Sequence, residues 1–305
     1  MTSAPMPKTR SSGLSLAKRT EAKIAFGFLA PFLAVWFILL IVPVFRGAWI
    51  SLHDWEIVGS HRYFIGLQNY VDLWADPVFW QAIWNTTVFV AITVPSVTIV
   101  ALLLALALNK PGRFYSVLRS MFFATSVLSV TVVTLVWTMV LRAENGLINN
   151  MFESLGLPQV GFLSTEGLAM VSLSVATVWW VIGFPLMLFL AGLQQIPKDI
   201  YEAAKLDDSG FFRTLYYITL PGLRRMMAFV VITQTISHFQ LFGQSVLMTQ
   251  GGPAGSTRSI VQFIYEMGFQ SWQLGYASAA SMVLLGVMFV ASLIQFLMST
   301  KGETA

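Results

Sequence analysis

The chain has 305 residues, 56% of them hydrophobic and only 10% charged, with a mean hydropathy of +0.72; a soluble domain carries roughly 25% charge, so this composition excludes one and points to an integral membrane protein. The absence of cysteine excludes disulfides and thiolate metal sites, and His53, His61 and His238 are too scattered to form a metal cluster, so no metal is expected. A net charge of +4 with no basic patch interleaved with aromatics excludes nucleic acid, and no G-x-x-x-x-G-K-[ST] loop is present to bind nucleotide.

Residues 1–23 are polar and basic, with Lys8, Arg10, Lys18, Arg19 and Lys23, and read as a disordered tail. The apolar run at about 24–45 is long enough to cross a bilayer, which takes about 20 residues. It is longer than a signal-peptide core and lacks a small-residue cleavage site, so it reads as a retained helix. Five more spans follow at about 82–108, 121–141, 168–190, 226–247 and 276–298, none holding Asp, Glu, Lys or Arg. All charge therefore falls in tails and connections, as the cost of burying it in lipid requires. The fold expected is all-α with six transmembrane helices forming one domain over 24–298, and a short tail at 299–305. Pro95 and Pro185 are expected to kink their spans.

Orientation follows from counting Lys and Arg by side. The two tails and the 109–120 and 191–225 loops hold fourteen, and the alternate connections hold four: Arg46, Arg62, Arg142 and Arg258. That places both termini and the 191–225 loop in the cytoplasm. The outward connections are aromatic-rich, and Trp272 and Tyr276 fall where an interface belt is expected.

The 191–225 loop is the one polar island between two long apolar spans. Pro197 suits a helix start and Asp199 complements the helix dipole. Ile200, Ala203, Ala204 and Leu206 share helical spacing, and Asp207 to Gly210 breaks the helix. Ser209 is available to cap a second helix from Phe211, whose apolar side is Phe212, Leu215, Tyr216 and Ile218. Lying outside the membrane, this helix–turn–helix faces another protein.

Glu202-Ala203-Ala204, the turn, and Ile218-x-Leu220-Pro221 resemble the EAA loop (194–225 here) of ABC importer permeases. Ile65-Gly66-Leu67-Gln68-Asn69-Tyr70, Gly146-Leu147-Ile148-Asn149, Gly251-Gly252-Pro253 with Thr257, and Leu274-Gly275-Tyr276-Ala277 resemble landmarks of the carbohydrate-uptake branch of maltose and glycerol-phosphate type. One departure stands out: Asp208 replaces the family's usual Gly, and either Asp208 or Gly210 has to supply any positive φ the turn needs.

The resemblance implies a non-enzymatic subunit of a bacterial plasma-membrane importer for a sugar or related polyol. It implies a second homologous permease, two copies of a cytoplasmic ATPase, an extracytoplasmic solute-binding protein and surrounding lipid as partners. No cofactor is bound by this subunit, and ATP with Mg sits on the ATPase. By the same resemblance Glu202, Ala203, Ala204, Asp207, Gly210, Leu220 and Pro221 form the coupling loop. Glu202 would face a basic group, and the two alanines would let the helix seat closely.

Span five is dense in polar groups: Thr233, Gln234, Thr235, Ser237, His238, Gln240 and Gln244. They either tie helices together or line a solute path. Gln234, Ser237 and His238 share one face, continued by Phe242. Trp180, with Trp179 and Phe184, is read as sugar stacking or as interior packing. Asn85, near Thr86 and Thr87, is read as lining the outer path or as bonding between helices. Two rival functions are a stand-alone secondary transporter with His238 as ion-coupling residue, and a membrane enzyme using Asp207, Asp208 and His238.

Overall fold

The computed structural model describes residues 12–56 and 62–300. The expectations for residues 1–11 and 301–305, and His61, lie outside the described residues. The expected tail is in part helical: α1 runs Ser12–Trp36, because Leu, Ala, Lys and Glu in residues 14–23 are strong helix formers. A widened π turn, Phe37–Ile41, leads into α2, Val42–Ile50, which carries Arg46 past the expected span end. A small antiparallel hairpin follows, β1 (His53–Trp55) with β2 (Arg62–Phe64), an addition to the all-helical expectation.

After α3 (Gln68–Ala75), α4 runs unbroken over Pro77–Leu108. Its start lies five residues before the expected one. Asp76 caps it, the carboxylate accepting from the Val78 amide at 2.8 Å, and Pro77 occupies the first turn. Pro95 sits inside α4 without breaking it.

The expected third span is two helices, α5 (Arg113–Thr125) and α6 (Val130–Leu141), meeting at 97°. Hydropathy is blind to this corner. Thr125 and Ser126 direct their hydroxyls to main-chain oxygens, and Ser129 starts α6 by accepting from the Val132 amide. After α7 (Leu147–Ser154), the fourth span bends 51° between α8 (Leu168–Val181) and α9 (Gly183–Gln195). Pro185 has no N–H for the Val181 carbonyl, which locates the bend.

The hairpin region comprises α10 (Lys198–Leu206), α11 (Phe211–Thr214), a π turn at Leu215–Thr219 and α12 (Leu220–Gly222). The fifth span turns 67° from this segment into α13 (Arg224–Phe239), eight residues short of the expected end at 247. A turn at 240–242 and a π segment, Ser245–Thr249, follow. Then come α14 (Ile260–Tyr265), a π turn at Glu266–Gln270, and α15 (Leu274–Thr300), which covers the sixth span.

Among the described residues, three helices are long and apolar enough to cross a membrane, and six spans result if each bent pair counts as one. One core joins α4, α9 and α13 around Val97, Leu186, Phe189 and Val230. A second joins α4, α14 and α15 around Phe79, Phe263 and Ala280, and a third joins α4 and α8 around Phe89 and Leu173. α4 is the common post. The apolar window of α1 and α2 is 0% buried.

Candidate functional site

Three of the breaks converge on one cavity of about 480 Å³. The α5–α6 corner contributes Ser126 and Val130, and the α8–α9 bend contributes Thr177, Trp180, Val181 and Phe184. The end of α13 and its following turn contribute Gln234, Ser237, His238, Gln240, Gly243 and Gln244, while Phe89 of α4 closes the remaining wall. A span that breaks inside the bilayer is tolerated only where protein or a cavity receives the freed backbone, which is what is found here.

The lining mixes amide, hydroxyl and imidazole groups with aromatic and aliphatic side chains, Val130, Val181 and Leu241 among them, and it holds no Asp, Glu, Lys or Arg. Trp180 is fixed at both ends: its indole Nε1–H donates to Leu128 O at 3.0 Å, and its own carbonyl accepts from Thr125 Oγ1 at 3.0 Å. Gln244 Nε2 donates to Thr177 Oγ1 at 3.3 Å. His238 is 4% exposed, with its ring 5.8 Å from that of Phe89. Its Nδ1 lies 2.7 Å from Gln234 O, and since a carbonyl only accepts, Nδ1 is assigned the proton. Nε2 is then an acceptor with no partner among the described residues. Such a chamber offers amide and hydroxyl groups beside the flat faces of Trp180 and Phe184. That suits a neutral, polyhydroxylated solute.

The structure brings Gln234, Ser237, His238 and Trp180 together, and it leaves Asn85 and Phe242 out. Asn85 Nδ2 donates to Gly255 O at 2.7 Å and Arg258 O at 3.1 Å, tying α4 to the 251–259 loop. Phe242 lies beyond the end of α13, where helical spacing no longer projects it onto the same face. Its ring rests 5.3 Å from Tyr265. Trp179 turns instead toward Trp137, at 5.9 Å. Thr86 accepts from the Ile260 amide at 2.9 Å, and Thr87 bonds back to Ile83 O. Sequence reasoning missed Ser126 and Thr177. Thr177 carried a signal, since it shares a helical face with Trp180, Val181 and Phe184.

The hairpin forms a second candidate site. Asp199 and Lys205 occupy the first and last turns of α10, each complementing the helix dipole. The helix closes in a Schellman arrangement, Ser209 N bonding Ala204 O at 3.0 Å and Asp208 N bonding Lys205 O at 3.2 Å. Asp208 takes the left-handed position at φ 53°, where the family's glycine would stand. Gly210 is extended at φ −64° and is the N-cap of α11. The expected Ser209 cap is therefore not made, since Gly210 holds the N-cap position and no side chain caps α11.

Ala204 is buried, while Glu202 and Ala203 are exposed. Tyr201 OH meets Thr219 Oγ1 at 3.1 Å and joins the two arms. At the base, a Cβ on Gly222 would stand 2.7 Å from Ile196 Cδ1, and one on Gly192 2.8 Å from Leu223 Cδ2, so a side chain at either position would make its neighbour shift. Pro221 occupies the first turn of α12, next to Leu220. Leu206, Phe211, Phe212, Tyr216 and Tyr217 are all 66% exposed or more. An exposed, aromatic-rich surface of that kind is what a contact site presents.

An uncharged chamber among broken membrane helices, with a hairpin protruding from them, defines a membrane transport protein. Residues 97–301 match the family described as binding-protein-dependent transport system inner membrane component, and the chain belongs to that family. It is similar to the lactose transport system permease protein LacF of Rhizobium radiobacter, 34% identical over 88% of this chain and 91% of that one. It is also similar to the trehalose/maltose transport system permease protein MalF of Thermococcus litoralis, 32% identical over 91% of this chain and 93% of that one. A chain of a bacterial alginate ABC transporter, solved with an alginate pentasaccharide-bound periplasmic protein, shares the fold at a TM-score of 0.81, with 21% identity over 93% of this chain and 96% of that one.

Proposed function

We propose that the chain is one permease subunit of an ATP-driven importer for a neutral sugar or related polyol. The observation that carries this reading is the uncharged chamber of amides, hydroxyls and aromatic faces at the meeting of three broken spans. The relatives named for lactose and for trehalose and maltose support the same solute class. In this reading solute passes along Gln234, Ser237, His238 and Trp180. Asn85 and Phe242 act in support of the loop instead.

The hairpin couples the chamber to a separate cytoplasmic ATPase. Glu202 meets a basic group on that partner, and the exposed rim of Leu206, Phe211, Phe212, Tyr216 and Tyr217 seats against it. Ala203 leaves room for close approach, while Asp207, Gly210, Leu220 and Pro221 shape the turn and its return arm. Two permeases and two ATPases, fed by an extracytoplasmic binding protein, then rock between inward- and outward-open states. The excess of Lys and Arg supports a cytoplasmic hairpin and cytoplasmic termini.

Gentle extraction of the tagged chain from its native membrane tests this. A cytoplasmic ATPase and a second six-span subunit are expected to accompany it, and the assembly in vesicles should take up a neutral sugar only with ATP. Recovery of the chain alone, transporting without ATP, would overturn the reading.

A further inference from the structure

The short helix α3 divides its circumference into three sectors. Leu67 at its N-cap, Val71 and Trp74 stand on one side, 66%, 59% and 74% exposed. Beside them lies a polar sector, where Gln68 Nε2 donates to Asp72 Oδ1 at 2.8 Å. The third sector faces protein. Leu73 is buried, and Asn69 Nδ2 donates to Ser51 O at 2.8 Å and His53 O at 3.0 Å. Tyr70 OH adds a contact with Ser51 Oγ at 2.7 Å.

A helix exposed to one medium needs two faces; three faces imply two media beside the protein. The apolar sector does not end at α3. Trp74 stands edge-on to Trp80 with ring centroids 4.9 Å apart, and Trp80 Nε1 donates to Trp74 O at 2.9 Å. Trp80 and Trp84 then open the exposed stripe of α4, which runs on through Ile99 and Leu103. The 32 residues of α4 measure about 48 Å, well beyond a hydrocarbon core of about 30 Å. Its first turns therefore stand in the headgroup region, where Trp side chains concentrate and where α3 abuts them.

We propose that α3 lies in the membrane plane at the hydrocarbon–headgroup boundary. Leu67, Val71 and Trp74 dip into the acyl chains, while Gln68 and Asp72 stay in water. The occupant of this surface is bilayer lipid. Through Asn69 the anchored helix holds the end of α2 and the first strand of the hairpin, and the start of α15 packs against both. A Cβ on Gly275 would strike the His53 carbonyl oxygen, so that junction leaves no slack. The inference rests on the membrane-spanning fold and is independent of the solute.

The chain contains no cysteine, so each introduced one is a single labelling site. Leu67→Cys, Val71→Cys, Trp74→Cys, Gln68→Cys and Asp72→Cys would each carry a nitroxide. The full-length chain, with the subunits that accompany it, would be placed in vesicles of phosphatidylethanolamine and phosphatidylglycerol. Collisions with oxygen report lipid and collisions with a water-soluble nickel chelate report solvent. The oxygen-to-nickel ratio is expected to be several-fold higher at 67, 71 and 74 than at 68 and 72. If Trp74→Cys fails to insert, positions 67 and 71 read the same sector. Nickel-dominated collisions at 67 and 71 would place the helix in water and overturn the proposal. Immobilised labels there, reached by neither reagent, would overturn it in favour of a protein partner.

Discussion

Gly183→Ala gives the sharpest quantitative test of the broken-span chamber. An added Cβ would stand 2.6 Å from Phe123 Cα and 2.8 Å from the Phe122 carbonyl carbon, and closer still to the Phe122 oxygen. All three are main-chain atoms of α5, so no side chain can swing aside. Carbon atoms in contact prefer about 3.5–4.0 Å, so α5 and α9 must separate by roughly 1 Å. Overpacking of this kind costs about 1–3 kcal/mol, and a rigid obstacle points to the upper half of that range. With an unfolding entropy of about 2.1 cal/mol/K per residue, a chain of this length shifts by roughly 1.6 °C per kcal/mol, so the apparent melting temperature should fall by roughly 3–5 °C. The chamber wall at Ser126, which follows α5, and at Phe184 of α9 moves with those helices, so ATP-driven uptake should fall as well. The assay pairs thermal aggregation in detergent with uptake in vesicles. Gly286→Ala serves as control, since nothing lies within 4 Å of its added carbon. Unchanged melting and uptake in Gly183→Ala would refute the close approach of α5 and α9.

Glu202→Ala should leave the protein inserted but weaken recovery of the ATPase and reduce ATP-driven uptake; normal uptake would remove the coupling role. His238→Leu and Gln234→Leu should impair solute passage with ATPase association intact, and a loss of association instead would make both residues structural. Asp208→Gly should be tolerated or stabilise the hairpin slightly. Asp208→Val, forcing a β-branched residue into the left-handed region, should cost about 1–2 kcal/mol and quicken amide exchange in α10.

Hydropathy made the six apolar segments legible because burial in lipid is a matter of composition. It could not show where those segments bend. The corner at 126–129 is set by hydroxyls reaching main-chain oxygens, and α13 closes where the Gln240 and Leu241 amides bond Ser237 O and His238 O three residues back, neither of which lowers a hydropathy average. The faces of α13 were readable up to Phe239 and failed at Phe242 for that reason. Asn85 shows a second limit: an amide near a helix start looks the same in sequence whether it meets solute or a loop carbonyl. The landmark residues prove to be joints. Asn149 holds Val160 through both amide atoms, Thr257 bonds Gly252 O, and Gly275 lets α15 touch the hairpin. The hairpin turn was the most legible element. Its one open point, Asp208 or Gly210, is answered by Asp208 at φ 53°.

The ending of α13 at Phe239 gives it the geometry of a lever. Its 16 residues make a rod about 24 Å long, rooted at Arg224 beside the hairpin and tipped at the chamber. A tilt of about 10° at the root displaces the tip by roughly 4 Å, close to the width of a side chain. The unbroken α4 and α15, against which α13 packs, are the bearings on which such a rod turns. Had the fifth span continued straight to residue 247, the same tilt would have been spent past the chamber. Because the rod stops at the chamber wall, a tilt at its root would be felt at that wall.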